Sequence, residues 1–266
     1  MKNKERLDVL LVSRGLAESR AKAQALIMSG QVYVDNQKAD KAGASFAQDA
    51  AIEVRGDACP YVSRGGLKLE KALRDFGVDP TGYVCSDQAL HRRLHRLPPV
   101  ARGGKGIAID VGYGQLAWSI RSDPRVVTME RTNIRYVKPE DLGEPLDLSV
   151  VDVSFISLRI VLPAIRSLLK PSGQVLCLIK PQFEAGKEKV GKKGVVRDPE
   201  VHRQVLDGFV ELARQLEFAI LGLTFSPVKG PEGNIEFLAH LTREPREGIC
   251  PDTAAIVAAA HGALGG

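Results

Sequence analysis

The pattern of hydrophobic and polar positions predicts short elements up to residue 58 and longer, alternating strands and helices after residue 66. In the first stretch, two amphipathic helices are predicted in RLDVLLVSRG and SRAKAQALIMSG, where apolar residues recur three and four positions apart and a glycine ends each pattern. QVYVDNQKA alternates around a turn at Asp35-Asn36 and predicts a hairpin, with AIEVRG as its partner strand. Residues 1–58 are therefore expected to form a small α+β domain.

The stretch from residue 59 to 66 has the proline and glycine content of a linker, and the units after it are longer. Continuous apolar runs alternate with helical patterns, which is typical of a mostly parallel sheet covered by helices on both faces. Strands are predicted in YVCSD, GIAID, RVVTME, LDLSVVDVS, QVLCLIKP, AILGLTFSPV and NIEFLAHLT. The helix SLRIVLPAIRSLLKPSG is expected to close at Pro171-Ser172-Gly173. The predicted fold class is α/β, with residues 67–266 as one domain behind the small N-terminal one.

Composition places the chain among ordinary globular proteins. It has 266 residues, of which 44% are hydrophobic and 26% charged. No apolar run approaches the ~20 residues that span a bilayer, and the N-terminus lacks the apolar region and cleavage site of a secretion signal. We therefore expect a cytoplasmic protein. The four cysteines lie far apart without a C-x-x-C pair, so neither a metal site nor a disulfide framework is predicted.

The net charge of +5 is concentrated in one segment. Between Gln88 and Lys105 there is no acidic residue, and the cations are Arg92, Arg93, Arg96, Arg102 and Lys105. Without this segment the chain would be neutral. Net charge alone is therefore weak evidence for a nucleic-acid partner, and the positions of the other charges must decide.

Acidic and polar residues follow the predicted strands of the second domain. Ligands of such sheets bind at the carboxyl ends of the strands. Asp110 ends GIAID, where an acidic side chain can hydrogen-bond the two hydroxyls of a nucleoside ribose, although a helix-capping or surface role is equally open. Thr132 and Asn133, which follow RVVTME, are candidate contacts to the edge of an adenine.

Four charged residues stand at or near the ends of apolar segments. Asp152 and Lys180 end two very apolar strands, Glu236 lies inside a third, and Lys68 stands at the entry to the domain. Each alone is more often an ordinary ion-pair member or a snorkelling side chain than a catalyst. Together, two lysines and two acids on one sheet can form an alternating charge network of the kind that activates a lysine.

The chain resembles the TlyA family of ribosomal RNA 2'-O-methyltransferases over nearly its whole length. The motifs that carry the resemblance are, in order, SRGGLKL, DVGYGQLAW, ERTNIR, DVSFISL, IKPQFEAG, GVVRDP and GNIEF. The resemblance implies a Rossmann-like, FtsJ-type methyltransferase domain with an S-adenosylmethionine pocket. The implied catalytic tetrad is Lys68, Asp152, Lys180 and Glu236, and the implied cofactor contacts are Asp87, Asp110, Thr132, Asn133 and Asp152.

The resemblance also implies a role for each member of the tetrad. Lys180 would act on the target ribose 2'-hydroxyl, either as general base or by stabilising the developing oxyanion. Asp152 and Glu236 would hold Lys180 in place, and Lys68 would tune it. Methyl transfer would then depend on aligning donor and acceptor and on deprotonating a weakly acidic hydroxyl.

The N-terminal pattern resembles the alpha-L RNA-binding module, which also occurs in a small-subunit ribosomal protein, pseudouridine synthases and tyrosyl-tRNA synthetases. The implied contacts to RNA phosphates are Arg6, Arg14, Arg20, Lys22, Lys38 and Lys41, together with Arg64 of the linker. A solvated helix face is the alternative explanation of these charges. Tyr33 is the only aromatic residue between Arg6 and Gln37, so structured RNA is favoured over loose single strands.

Residues 88–104 depart from the TlyA pattern. The family has a glycine-rich turn, roughly DIGASTGGFTDCLLQRGA, that lets the backbone approach the methionine part of the cofactor. This chain has DQALHRRLHRLPPVARGGKG instead, without a glycine between Asp87 and Gly103. One hypothesis is a local frameshift, because the neighbouring reading frame can spell the missing motif. If the stretch is real, cofactor binding should weaken by about a hundredfold or more.

Three functions remain open from the sequence. The first is S-adenosylmethionine-dependent 2'-O-methylation of ribose in ribosomal RNA, with rRNA or a ribosomal subunit as the partner. The second is an RNA-binding protein whose methyltransferase activity is impaired or absent because of the altered turn. The third, a membrane-active haemolysin, comes from the family's other label, hemolysin A, and no spanning segment or strongly amphipathic cationic helix supports it. The sequence names neither the modified nucleotide nor an oligomeric state.

Overall fold

The computed structural model describes residues 4–28, 30–39, 41–54, 65–89, 104–114, 121–191 and 193–265. The chain divides into two compact units, Met1–Gly66 and Leu67–Gly266. Gly65 and Gly66 belong to the first turn of a helix, and residues 55–64 lie outside the described ranges. The linker over residues 59–66 and the RNA contact of Arg64 therefore stay predictions.

The first unit packs two short helices against small antiparallel sheets. Its elements are β1 (Lys4–Arg6), α1 (Leu7–Ser13), α2 (Arg20–Met28), β2 (Val32–Val34), β3 (Gln37–Lys38), β4 (Ser45–Ala47) and β5 (Ile52–Val54). The predicted hairpin is present in the sheet β3-β2-β5, and Asp35 and Asn36 have φ of 49° and 65°, as its two-residue turn requires. The pair β1–β4 is missing from the sequence prediction because three-residue strands carry too little alternation to detect.

The apolar stripes of α1 and α2 face each other in the core of the first unit. Leu7 and Leu11 from α1 and Ala23 and Ile27 from α2 are fully buried there, together with Val32 of β2. Their spacing of four residues places each pair on one side of its helix. The two helices therefore pack against each other through the apolar faces that the sequence pattern predicts.

The second unit is built on a seven-stranded sheet. Its elements are α3 (Gly65–Asp75), β6 (Val84–Ala89), β7 (Lys105–Asp110), β8 (Val126–Glu130), α4 (Pro139–Leu142), β9 (Leu146–Asp152), α5 (Leu158–Leu168), β10 (Leu169–Ile179), α6 (Pro181–Glu184), α7 (Pro199–Gln215), β11 (Ala219–Phe225), β12 (Phe237–Thr242) and α8 (Thr253–Leu264), with 3-10 turns at Ile134–Tyr136 and Lys187–Lys189. The strand order is β11-β12-β10-β9-β6-β7-β8. Strands β10, β9, β6, β7 and β8 are parallel, and β12 runs antiparallel to β10 and β11. The predicted mostly parallel sheet is confirmed.

Two predicted element ends are wrong. Helix α5 ends at Leu168, and Pro171-Ser172-Gly173 lie in β10, because Leu169 already pairs with β9 and the Gly173 carbonyl accepts from the Arg243 amide at 2.9 Å. The sheet thus holds these residues in a bulged strand. Glu236 lies immediately before β12 and not inside it, and its carbonyl accepts from the Ser226 amide at 2.8 Å.

Helices cover both faces of the sheet, and successive strand residues point to opposite faces. On one face, Leu69 and Ala72 of α3 pack against side chains that include Cys85, Val150, Leu178 and Leu238. On the other face, α5 and α7 pack against side chains that include Ile107, Val151, Cys177 and Phe237. Within the described ranges, no helix is long and apolar enough to cross a membrane.

Candidate functional site

Three of the predicted catalytic residues lie on the face of the sheet that α3 covers. Asp152 follows Val150 by two positions on β9, and Lys180 follows Leu178 by two positions at the end of β10. Glu236 precedes Leu238 of β12 by two positions. Because side chains two apart on a strand point the same way, all three side chains continue the rows of core residues under α3.

Lys180 is held by two partners on the neighbouring strand segment. Its Nζ lies 2.5 Å from Asp152 Oδ1 and donates to Ser154 Oγ at 3.0 Å. Lys180 is buried, and Pro181 directly after it starts α6 and ends the strand, since proline has no amide to donate to a sheet. An ammonium has three N–H donors, and within the described ranges Lys180 uses two of them on Asp152 and Ser154, which leaves one for a ligand.

Lys68 and Glu236 form a second, fully buried pair. Lys68 Nζ donates to Glu236 Oε2, and the side chains are only 6% and 1% exposed. Lys68 comes from the first turn of α3. Gly230 leaves room for the carboxylate of Glu236, because a Cβ at that position would stand 2.6 Å from Glu236 Oε1.

The two ion pairs lie at one edge of the sheet. Ile179, the last residue of β10, pairs with Phe237, the first residue of β12. Lys180 follows Ile179 and Glu236 precedes Phe237, so both lie just beyond this end of the strand pair. The structure thus brings Lys68 of α3 together with Glu236, and Lys180 together with Asp152, as two ion pairs at the ends of the adjoining strands β12, β10 and β9.

A row of carboxylates continues from Asp152 along the same edge. Asp152, Asp87 and Asp110 lie on the adjacent strands β9, β6 and β7, on the face covered by α3. Asp110 Oδ1 accepts from the Gly112 amide at 2.7 Å. Burial, and then the charges of Asp152 and Asp110, raise the pKa of the Asp87 carboxyl well above its ordinary value.

Asp87 is the member of this row that fits a cationic ligand most directly. Its side chain is buried, and within the described ranges its Oδ1 has no hydrogen-bond partner. A buried carboxylate oxygen without a partner is costly unless a ligand satisfies it. Three neighbouring carboxylates therefore suit a ligand that carries positive charge and hydroxyl groups.

The two predicted adenine contacts lie beside Asp110. The Thr132 amide donates to the Asp110 carbonyl at 2.9 Å, and the Thr132 hydroxyl donates to the Glu130 carbonyl at 3.1 Å. Asn133 caps the turn Ile134–Tyr136, with its Oδ1 accepting from the Arg135 amide at 3.1 Å. The backbone after β8 is thereby fixed against the end of β7, which places both residues next to the carboxylate row.

Phe155 is a feature of this edge that the sequence pattern does not reveal. It follows Ser154, is 82% exposed, and adopts a φ of 63°, which is unfavourable for an aromatic residue. Its ring centroid lies 5.2 Å from that of Phe183 in α6. The motif SFISL has the composition of a core segment, so only the folded structure shows that the Phe155 ring is exposed to solvent, one position after the Ser154 that binds Lys180.

The predicted RNA-binding arginines of the first unit are exposed but differ in their partners. Arg6 and Arg20 both bond to the carboxylate of Asp8, at 3.0 to 3.1 Å. Arg14 donates to the carbonyls of Ala50 and Gln48, the first at 2.6 Å.

The predicted RNA-binding lysines of that unit have weaker contacts than the arginines. Lys22 pairs with Glu18 one helical turn earlier, at 3.1 Å, and Lys41 is exposed. The backbone of Lys38 lies in β3, while its side chain lies outside the described part of the structure. The sequence pattern does not single out Asp8, because an acidic residue among basic ones suggests no contact with RNA. Its bonds to Arg6 and Arg20 are evident only in the folded chain.

The sheet order, the charged edge and the carboxylate row together define an α/β methyltransferase with a separate N-terminal unit. The family of FtsJ-like methyltransferases matches residues 61–243, and the S4 domain matches residues 5–44. The chain therefore belongs to the FtsJ-like methyltransferase family, in its TlyA branch, and begins with an S4 domain. Both modules that the sequence motifs indicate are confirmed.

Relatives of known name cover most of the chain. A Bacillus subtilis protein named "Putative rRNA methyltransferase YqxC" is 50% identical over 90% of this chain and 85% of its own length. The "16S/23S rRNA (cytidine-2'-O)-methyltransferase TlyA" of Mycobacterium tuberculosis is 41% identical over 91% of each chain. A solved structure named "Putative hemolysin from Streptococcus thermophilus" is 39% identical, with a TM-score of 0.78 over all of this chain and 98% of that one.

Proposed function

We propose that the protein transfers the methyl group of S-adenosylmethionine to a ribose 2'-hydroxyl in ribosomal RNA, with cytidine as the modified nucleoside. The observation that carries the proposal is Lys180, held by Asp152 at 2.5 Å on the same sheet edge as Asp87 and Asp110. Support for cytidine comes from the name of the M. tuberculosis relative. Ribosomal RNA as substrate supports action in the cytoplasm.

The carboxylate row would hold the methyl donor. Asp110 would accept hydrogen bonds from the ribose hydroxyls, Thr132 and Asn133 would contact the adenine edge, and Asp87 would neutralise positive charge on the methionine part. S-Adenosylmethionine supplies a methyl group already activated by a sulfonium, which becomes a neutral thioether when the methyl leaves. The protein's own task is then to place the acceptor hydroxyl in line and to manage its proton.

Lys180 would meet the 2'-oxygen through the N–H donor that its contacts with Asp152 and Ser154 leave free. Because Lys180 Nζ is directed at the oxygens of Asp152 and Ser154, Lys180 would act as a hydrogen-bond donor that stabilises the negative charge developing on the 2'-oxygen. The hydroxyl proton would pass to solvent water as the new O–C bond forms. Asp152 would keep Lys180 aimed at the substrate. Lys68 and Glu236, which bind each other, would fix the wall of the site beside it.

Phe155 would position the target nucleotide. An exposed aromatic ring costs little to cover with a base, and stacking of a base on an aromatic side chain contributes ~1–3 kcal/mol. The strained backbone at Phe155 is the kind of local cost that persists where function needs the ring in one place. The cations of the S4 domain would add affinity for the phosphates of structured rRNA without reading its sequence.

A second candidate function is RNA binding without efficient methylation. It is favoured by one observation, the absence of glycine between Asp87 and Gly103, where a close approach of backbone to the methyl donor is needed. Most of that stretch lies outside the described residues.

One experiment separates the two candidates. The protein is incubated with methyl-labelled S-adenosylmethionine and with 16S rRNA, 23S rRNA and purified ribosomal subunits, beside a matched version in which residues 88–104 carry the glycine-rich turn. We expect label in a 2'-O-methylcytidine after digestion. Label from the restored version alone would establish the second candidate for this chain, and label from neither version would overturn the proposed function.

A further inference from the structure

A fully buried carboxylate lies beneath the basic surface of the S4 domain. Asp8 is the second residue of α1, and its side chain is 0% exposed. Arg6 binds it with two N–H groups, at 3.0 and 3.1 Å, Arg20 binds it at 3.0 Å, and Gln24 donates to it at 3.1 Å. Both oxygens of Asp8 are thus occupied by donors from β1 and α2.

This carboxylate remains ionised because its partners outweigh its burial. The hydrogen bonds from Arg6 make the largest contribution and hold the pKa of the Asp8 carboxyl well below its usual range, although burial alone would raise it. Its place in the first turn of α1 also favours a negative charge. Asp8 is therefore a buried anion beneath Arg6 and Arg20.

The two arginines remain half exposed while they bind Asp8. Their side chains are 51% and 58% accessible to solvent. A guanidinium carries five N–H donors in a rigid plane, and Arg6 spends two of them on Asp8 and Arg20 one. Among the residues that the structure describes, most donors of both side chains are thus left for another acceptor.

The shared acceptor also fixes the distance between the two guanidinium groups. One nitrogen of Arg6 and one of Arg20 bond to the same oxygen, Asp8 Oδ2, so they lie no more than two hydrogen-bond lengths apart. A phosphate group presents several oxygens within that span and forms strong charge-assisted bonds with guanidinium. Arg6, Asp8 and Arg20 together keep a net charge of +1 for such a ligand.

We propose that Asp8 is a positioning residue for RNA binding, which aligns Arg6 and Arg20 so that both bind one backbone phosphate. This inference rests on the proposed function, since it takes RNA as the partner of the S4 domain. Asp8 itself does not touch the RNA. It removes the rotational freedom that the long arginine side chains would otherwise lose on binding, which is the general advantage of a preorganised site.

Positioning by Asp8 and simple electrostatic attraction predict opposite changes in RNA affinity when Asp8 is neutralised. Replacing Asp8 by a neutral residue raises the net charge of the surface by one, which by itself strengthens binding to polyanionic RNA. If Asp8 acts by positioning, the same substitution weakens binding. The matched control is Glu18→Gln, which also removes one negative charge from the S4 domain but at an 82% exposed side chain.

The test is titration of fluorescent 16S and 23S rRNA transcripts with the full chain, at several salt concentrations. For Asp8→Asn we expect about tenfold weaker binding than wild type and a salt slope smaller by about one phosphate contact. Glu18→Gln should bind as tightly as wild type or more tightly. Wild-type affinity and slope in a folded Asp8→Asn would overturn the proposal.

A second variant covers the case in which Asp8→Asn fails to fold, which circular dichroism would show. Arg6→Lys with Arg20→Lys keeps every charge but loses the planar fork, and we expect a comparable loss of affinity. Unchanged binding by this variant would also overturn the proposal. If the wild-type chain itself binds neither transcript, the RNA partner is wrong, and the proposed function fails before the role of Asp8 is reached.

Discussion

Lys180 and Asp152 form an ion pair of 2.5 Å across the ends of neighbouring parallel strands, each two positions beyond a core residue of the same face. Because Val150 and Leu178 pack under α3, the side chains two positions later, Asp152 and Lys180, point to the same face of the sheet. The packing of the core therefore sets the direction of both charged side chains. Lys170 and Asp147 form a similar pair of 2.7 Å at the opposite ends of the same two strands. The chain thus contains its own control for the effect of a Lys–Asp pair as such.

Lys180→Ala is expected to abolish methylation while rRNA affinity stays within about twofold of wild type. Removal of one preorganised donor that stabilises a developing oxyanion typically costs about 10²–10³ in rate. Lys170→Ala should leave the rate unchanged, because that pair is partly exposed and far along the strand from the carboxyl edge. The rate is measured with labelled methyl donor, in this chain or in the version with the restored glycine turn. Turnover retained in Lys180→Ala would remove Lys180 from the mechanism.

Glu236→Gln is expected to destabilise the second unit by about 3–5 kcal/mol, because it leaves Lys68 as a buried charge without its partner. The double variant Lys68→Met with Glu236→Leu should recover most of that loss, since a buried ion pair can be replaced by apolar side chains at little cost. Urea unfolding measures both.

Methylation should stay low in the double variant even where its stability returns. That result separates a contribution to the site from a contribution to the fold. A double variant that is both stable and fully active would show that this pair serves only packing.

The affinity for S-adenosylmethionine is expected to rise with pH because of Asp87. The pKa of this carboxyl is raised in the free protein, so it holds a proton at pH values where an ordinary aspartate is charged. A cationic ligand favours the ionised form, and binding therefore releases a proton until the pH exceeds the raised pKa. The affinity gain is up to about tenfold per pH unit in that window.

Calorimetric titration in two buffers of different ionisation enthalpy measures the proton release directly. Asp87→Asn should bind more weakly and lose this part of the pH dependence. An identical number of protons released by wild type and Asp87→Asn would show that another group carries the linkage.

Phe155→Asn should raise the KM for rRNA by about tenfold while stability is unchanged or improved. Asparagine tolerates a positive φ better than phenylalanine, and the exposed ring contributes little burial beyond its contact with Phe183. Thermal unfolding and steady-state kinetics make the comparison, with Tyr136→Asn as the control for loss of another exposed aromatic ring. A KM equal to that of wild type would show that no base stacks on Phe155.

Sequence patterns predict the core and the order of the strands well, since both follow from rows of apolar residues, while the predicted start of β12 and the predicted end of α5 are wrong. Lys180 and Asp152 are detectable because each interrupts such a row at a place where a parallel sheet binds ligands. Phe155 and Asp8 are not detectable in this way. The first has the composition of core, and the second acts through two arginines that only the folded chain brings to one oxygen. The closing turn of α5 is also mispredicted, because sheet pairing overrides the local signal of Pro-Ser-Gly.

Strand β12 is antiparallel to both of its neighbours, so its first residue lies beside the carboxyl end of β10. Glu236, which precedes β12, therefore lies at the edge where the parallel strands end. Glu236 thereby joins Lys68, which lies 168 positions earlier in the chain. During translation, the S4 domain can leave the ribosome and fold long before that encounter is possible. A growing polypeptide would therefore be able to bind RNA well before it could methylate it. A fragment that ends before Glu236 would lack this residue and so would not contain the complete site.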